Sequence, residues 1–83
     1  MNKLMILSVL SLVSLTACTD PETAARAVRN VGLENFVATG YRFTGCGEDD
    51  DFATGFTAKN ARGEQVTGVV CSGFLKGATV RFD

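Results

Sequence analysis

The chain has 83 residues, 46% of them hydrophobic, a formal net charge of −1, three cysteines and no histidine. That length holds one small domain. A near-neutral charge without a basic patch leaves nucleic-acid binding unsupported, and the missing imidazole removes the commonest general base and metal ligand at neutral pH.

The first segment reads as a targeting signal. Lys3 precedes an apolar run from Leu4 to Leu15, and small residues follow. This order marks a secretory signal peptide over residues 1–17. A transmembrane span is the competing reading, but the run falls short of the roughly 20 apolar residues a span needs. Leu15-Thr16-Ala17-Cys18 adds specificity. The tetrapeptide resembles the lipobox of bacterial lipoproteins, in which a small residue precedes the cysteine that becomes lipidated. The resemblance covers residues 1–18 and implies cleavage after Ala17, acyl chains on Cys18 and a membrane-anchored product. Such acylation exceeds the two signals that already anchor a protein stably. In that family an Asp directly after the cysteine goes with inner-membrane retention. Thr19 stands there here, so the resemblance implies the periplasmic face of the outer membrane.

Residues 18–20 are expected to form a lipidated tether, and residues 21–83 a single disulfide-stapled domain. Asp20-Pro21-Glu22 reads as a helix start. Asp caps the free amides, Pro fits the first helical position, and Glu favours the positive end of the dipole. Ala24, Ala25, Ala27, Val28 and Val31 supply an apolar stripe, and Gly32 suits the position after the helix. The expected helix covers residues 21–31 and needs a tertiary partner at that length.

From Phe36 onward, β-branched and aromatic residues alternate with small ones, and glycines punctuate the segments. Strands are expected at residues 35–43, 52–59, 64–72 and 78–82, joined by loops 44–51, 60–63 and 73–77. Short connections favour an antiparallel meander. The expected fold class is α+β, a short N-terminal helix packed on a four-stranded antiparallel sheet. Thr-Gly precedes a large apolar residue at Thr39-Gly40-Tyr41, Thr54-Gly55-Phe56 and Thr67-Gly68-Val69. Pairing Lys59 with Glu64 would set Gly55 opposite Gly68 and Phe52 opposite Cys71, with Gly40 beside Gly55. The glycines would then form a stripe that admits a helix or sharpens the coil; the alternative is unrelated bulges.

Lipidation of Cys18 leaves Cys46 and Cys71, which allow one pairing. An exported domain this small favours a disulfide over two buried thiols. Closing that loop stabilises by about 3.5 kcal/mol in the chain-entropy account. The bridge would pin the 44–51 loop against the third strand and close the sheet edge. With no histidine and no CxxC spacing, these cysteines do not make a tetrahedral metal site.

Glu48, Asp49, Asp50 and Asp51 are the sharpest polar feature. Three readings are open: a recognition surface for a basic partner, an oxygen-rich calcium site, and a solvated turn. The run lacks the alternating acids and distal Glu of an EF-hand loop. As a recognition surface its charges would serve binding, and neutralising them should leave stability unchanged. Phe74 and Leu75, beside Lys76 in a glycine-bounded loop, either form an exposed interaction site or close the core. The candidate partner-binding residues are therefore Glu48, Asp49, Asp50, Asp51, Phe74 and Lys76. No catalytic residue, cofactor or metal ligand is assigned. Without histidine or a serine in a nucleophile elbow, the chain is not expected to be an enzyme.

The short signal, the brief helix and the segments Thr39-Gly40-Tyr41-Arg42-Phe43, Cys46, Glu48-Asp49-Asp50, Thr54-Gly55-Phe56 and Val70-Cys71-Ser72-Gly73 resemble very small lipoproteins of phages and prophages of Gram-negative bacteria. The resemblance implies an envelope binding module with a membrane and an envelope protein as partners. Other phage lipoproteins of this size exclude superinfecting phages by occluding an outer-membrane receptor. The rival expectations are a periplasmic inhibitor of a cell-wall lytic enzyme and a structural envelope lipoprotein.

Overall fold

A computed structural model describes residues 18–83. The expected signal peptide, with Leu15-Thr16-Ala17, lies outside the described residues. Helix α1 (Pro21–Asn30) is followed by β1 (Glu34–Tyr41), β2 (Phe52–Lys59), β3 (Gln65–Gly73) and β4 (Lys76–Phe82). The strands form one antiparallel sheet in the order β1-β2-β3-β4. None of the described helices is long and apolar enough to cross a membrane.

Local chemistry sets both ends of α1. The Asp20 carboxylate accepts hydrogen bonds from the Thr23 amide at 3.3 Å and the Thr23 hydroxyl at 2.8 Å. Pro21 occupies the first turn, where its missing amide proton costs nothing. At the other end, Leu33 N–H donates to Val28 O and Gly32 N–H to Arg29 O. This is a Schellman motif, and Gly32 supplies the φ of +89° that it requires. The helix thus stops at Asn30, one residue before the sequence expectation, and Val31 is 54% exposed. Leu33 turns inward and joins Val28 in the core.

Burial runs unbroken from Ala53 to Phe56 on β2 and from Gly68 to Ser72 on β3. Consecutive buried residues point to opposite faces of a strand, so both faces are covered there. On one face Ala24, Val28 and Leu33 pack on Phe56, Ala58 and Val70. On the other, Ala53, Val69 and Cys71 lie beneath Cys46. The Cys46–Cys71 disulfide spans Cα atoms 5.6 Å apart. Cys71 lies on an interior strand, so the bridge draws the loop after β1 over a sheet face. The expected closure of a sheet edge is corrected accordingly.

The β2–β3 register differs from expectation by one residue. Lys59 pairs with Gln65, Gly55 with Val69, Phe56 with Gly68 and Phe52 with Ser72. The turn explains the shift. Gly63 N–H donates to Asn60 O, and Asn60 N–H donates to Glu64 O. Gly63 has a φ of +79° and contributes the extra residue of a bulged turn. The Asn60 side-chain oxygen accepts from the amides of Arg62 and Glu64. Gly40 does lie opposite Gly55. Gly68 falls on the other face, so no three-glycine stripe forms. A Cβ on Gly68 would strike the Arg81 carbonyl and come within 3.0 Å of Phe56.

Candidate functional site

The antiparallel order brings the end of β1, the start of β2 and the β3–β4 turn to one end of the sheet. Every sequence-nominated partner-binding residue lies there or in the loop that leads there. Lys76 is the hub. Its ammonium sits 2.6 Å from Asp50 and 3.0 Å from Asp49. Asp50 also accepts the Gly47 amide at 2.8 Å, and its side chain is only 8% exposed. Asp51 accepts the Phe74 amide at 3.0 Å. The loop carrying the acids is therefore clamped to the β3–β4 turn by charge, by amide capture and by the disulfide.

Lys76, one of the nominated residues, thus pairs with two of the four acids, Asp49 and Asp50, while the Asp49 side chain stays 82% exposed. The Lys76 hydrogen bonds hold the Asp49 carboxyl below the usual range, and with the Gly47 amide they do the same at Asp50. The two carboxylates in turn hold the Lys76 ammonium above its usual range. Glu48 is exposed and makes no ion pair among the described residues. Gly73 is needed for the close approach: a Cβ there would lie 2.8 Å from both the Asp51 carboxylate and the Lys76 stem. The Asp50 carboxylate and the sulfurs of Cys46 and Cys71 lie within 4.8 Å of one another. Both sulfurs are spent in the disulfide, so that trio offers a cation a single carboxylate.

The expected loop 73–77 shrinks to Phe74 and Leu75, because β3 reaches Gly73 and β4 starts at Lys76. Phe74 is 79% exposed, with one edge on Phe52 at 5.1 Å between ring centroids; Leu75 is 101% exposed. The pair stands at the hairpin tip and does not close the core. Across the same end, β1 stops at Tyr41, two residues short of expectation. Phe43 is 91% exposed and meets Tyr41 edge-on at 4.9 Å. A cleft of about 240 Å³ there is lined by Cys18, Tyr41, Phe43, Cys46, Glu48 and Asp50, among others.

Cys18 is exposed with a free thiol, yet its backbone is held. Ala53 N–H donates to Cys18 O at 3.1 Å, and Asp20 N–H donates to the Thr54 hydroxyl at 3.0 Å. The expected tether at residues 18–20 is seated against the start of β2, where β1 has left the ladder and the Ala53 amide takes the Cys18 carbonyl instead.

Arg42 was missed in the sequence. Its stem crosses Gly55, and its guanidinium forks onto Asp83 at 3.0 and 3.3 Å and reaches Gly68 O. Hydrogen bonds from Arg42 and Thr67 hold the Asp83 carboxyl below its usual range. The residues lie far apart in sequence, and only the sheet order brings them together.

An uncharacterized 7.2 kDa protein from the Gp39-comCA intergenic region of Enterobacteria phage T4 is 43% identical to this chain over 60 residues, 71% of this chain and 92% of the phage protein. The chain belongs to this phage protein family. The T4 member's name gives a mass and a genomic location, and assigns no activity. No protein-family model matches the chain, and no solved structure matches it.

Proposed function

We propose that this phage-family protein is a lipid-anchored envelope binding module that excludes superinfecting phages. In this reading Cys18 carries the acyl chains and the body lies at the periplasmic face of the outer membrane. There it occludes a phage receptor. The observation that carries the reading is the position of Cys18. It follows Leu15-Thr16-Ala17, presents an exposed free thiol, and has its backbone seated against β2. Membership of a phage family supports the exclusion role over a general envelope role. The rival inhibitor reading relied on acids presented to a basic enzyme cleft. It loses force because Lys76 already occupies Asp49 and Asp50.

The test has a chemical and a cellular arm. Mass spectrometry of the mature amino terminus should find an acylated Cys18, and an unmodified thiol there refutes the anchor. Expression of the protein alone should make a sensitive host resist phages that share one outer-membrane receptor. Cys18→Ser should abolish that resistance. Protection against no phage across diverse receptors refutes the exclusion role.

A further inference from the structure

Among the described residues, the three most exposed large apolar side chains, Phe43, Phe74 and Leu75, share one end of the sheet. Scattered exposed hydrophobes are ordinary, but a cluster at one end asks for an apolar partner. Local conformation does not explain it. Two-residue hairpin tips favour Gly, Asn and Asp, which adopt positive φ without strain. Phe74 and Leu75 both keep negative φ, so neither residue type is required by the turn.

Where the rest of the chain joins the body says what covers this end. Cys18 lies in the cleft with Tyr41 and Phe43, and its carbonyl is bonded to β2 one residue from Phe52, which touches Phe74. Acyl chains carried on Cys18 therefore leave the protein at this end, with no length of chain between them and the body to carry them to the other end of the sheet.

The charges nearby are compatible with that placement. Asp49 and Asp50 are paired with Lys76 and Asp51 with a backbone amide, which leaves Glu48 as the one carboxylate of the run without such a partner among the described residues. Lys76 can lay its stem along apolar surface and keep its ammonium in the headgroup layer. Tyrosine, with an apolar ring and a polar tip, suits the same layer.

We infer that this end of the sheet docks on a lipid bilayer: Phe43, Phe74 and Leu75 enter the acyl–headgroup boundary, with Tyr41 and Lys76 at headgroup level. The inference deepens the lipid-anchored reading and rests on it for the bilayer in question. It sets the body upright, with the Asn60–Gly63 turn facing away from the membrane.

The chain contains no tryptophan, so one introduced tryptophan reports alone. Full-length protein produced in the envelope would be reconstituted into phosphatidylethanolamine/phosphatidylglycerol vesicles with plain or brominated acyl chains. Phe43→Trp and Leu75→Trp should lose at least half of their emission in the brominated vesicles, and Ala61→Trp should lose none. Phe43→Trp and Leu75→Trp emission unaffected by bromine in protein that floats with the vesicles overturns the docking. Blue-shifted emission insensitive to bromine does so as well, in favour of a protein covering that end. Protein that does not float overturns it too. The mass of the Cys18 peptide, read on the same sample, scores the anchor separately. Quenching with an unacylated Cys18 keeps the docking and removes the lipoprotein reading.

Discussion

Gly55 is a glycine because Arg42 needs the space above it. A Cβ there would lie 2.6 Å from the Thr39 hydroxyl and 2.9 Å from the Arg42 stem. Gly55→Val should therefore displace Arg42 and cost about 1–3 kcal/mol by overpacking. Gly77→Ala is the matched control, since nothing lies within 4 Å of its added methyl. Thermal melts of the two variants should separate clearly; coincidence of Gly55→Val with the parent refutes the Arg42 account. The Lys76 clamp makes a second claim at this scale. Asp49 and Asp50 have lowered pKa values, so their contribution is complete above the usual carboxylate range and is lost as pH falls through the lowered values. Lys76 has a raised pKa, so its contribution is complete below the usual lysine value and is lost as pH rises through the raised one. The Gly47 amide resonance should hence stay constant across neutral pH and move only at the two extremes. A shift near neutrality would show that the clamp is not made as described. The same contacts reverse the expectation that neutralising the run leaves stability unchanged. Asp50→Ala should lower the melting temperature more than Asp49→Ala, because Asp50 is the less exposed side chain and also holds the Gly47 amide.

The elements whose signals are local were legible in the sequence. Asp20, Pro21 and Gly32 each took the cap role that their chemistry suggested. The span of β2 was read correctly, because Lys59-Asn60 and Asp51-Phe52 mark sharp changes of composition. Register was harder. A turn of Asn60-Ala61-Arg62-Gly63 admits closure with or without a bulge, and a slip of one residue moves every side chain to the other face. That slip took Gly68 out of the imagined stripe. The clamp at the sheet end was half legible: the acids, Phe74 and Lys76 were nominated together, but their pairing depends on a tertiary fold-over that no local pattern announces. Arg42 with Asp83 was illegible for the same reason. The bulged turn makes its own prediction. Gly63 at φ +79° has open space around it, so Gly63→Ala tests conformation alone. It should cost about 1–2 kcal/mol, read as a shift in the urea midpoint without a change in slope.

At the scale of the whole molecule, one helix covers one sheet face, and a disulfide-held loop covers much of the other. A domain this small has little stability in reserve. Cys46→Ser/Cys71→Ser should cost about 2–5 kcal/mol, enough to unfold a large share of the population at 37 °C. Circular dichroism of the double variant should show the loss, and a melt unchanged from the parent would mean that the loop is held without the bridge. The hydrogen bond from the Ala53 amide to the Cys18 carbonyl has a consequence for how such a protein would search. A body on a long leash sweeps a volume and meets partners at many heights and tilts. Under the proposed anchor at Cys18, a body seated on its point of attachment would move as the leaflet moves, in two dimensions and at one height, and a partner would have to present its contact surface at that level. Lengthening the chain between residues 18 and 20 would extend that reach and give up the contact that seats Cys18 on β2.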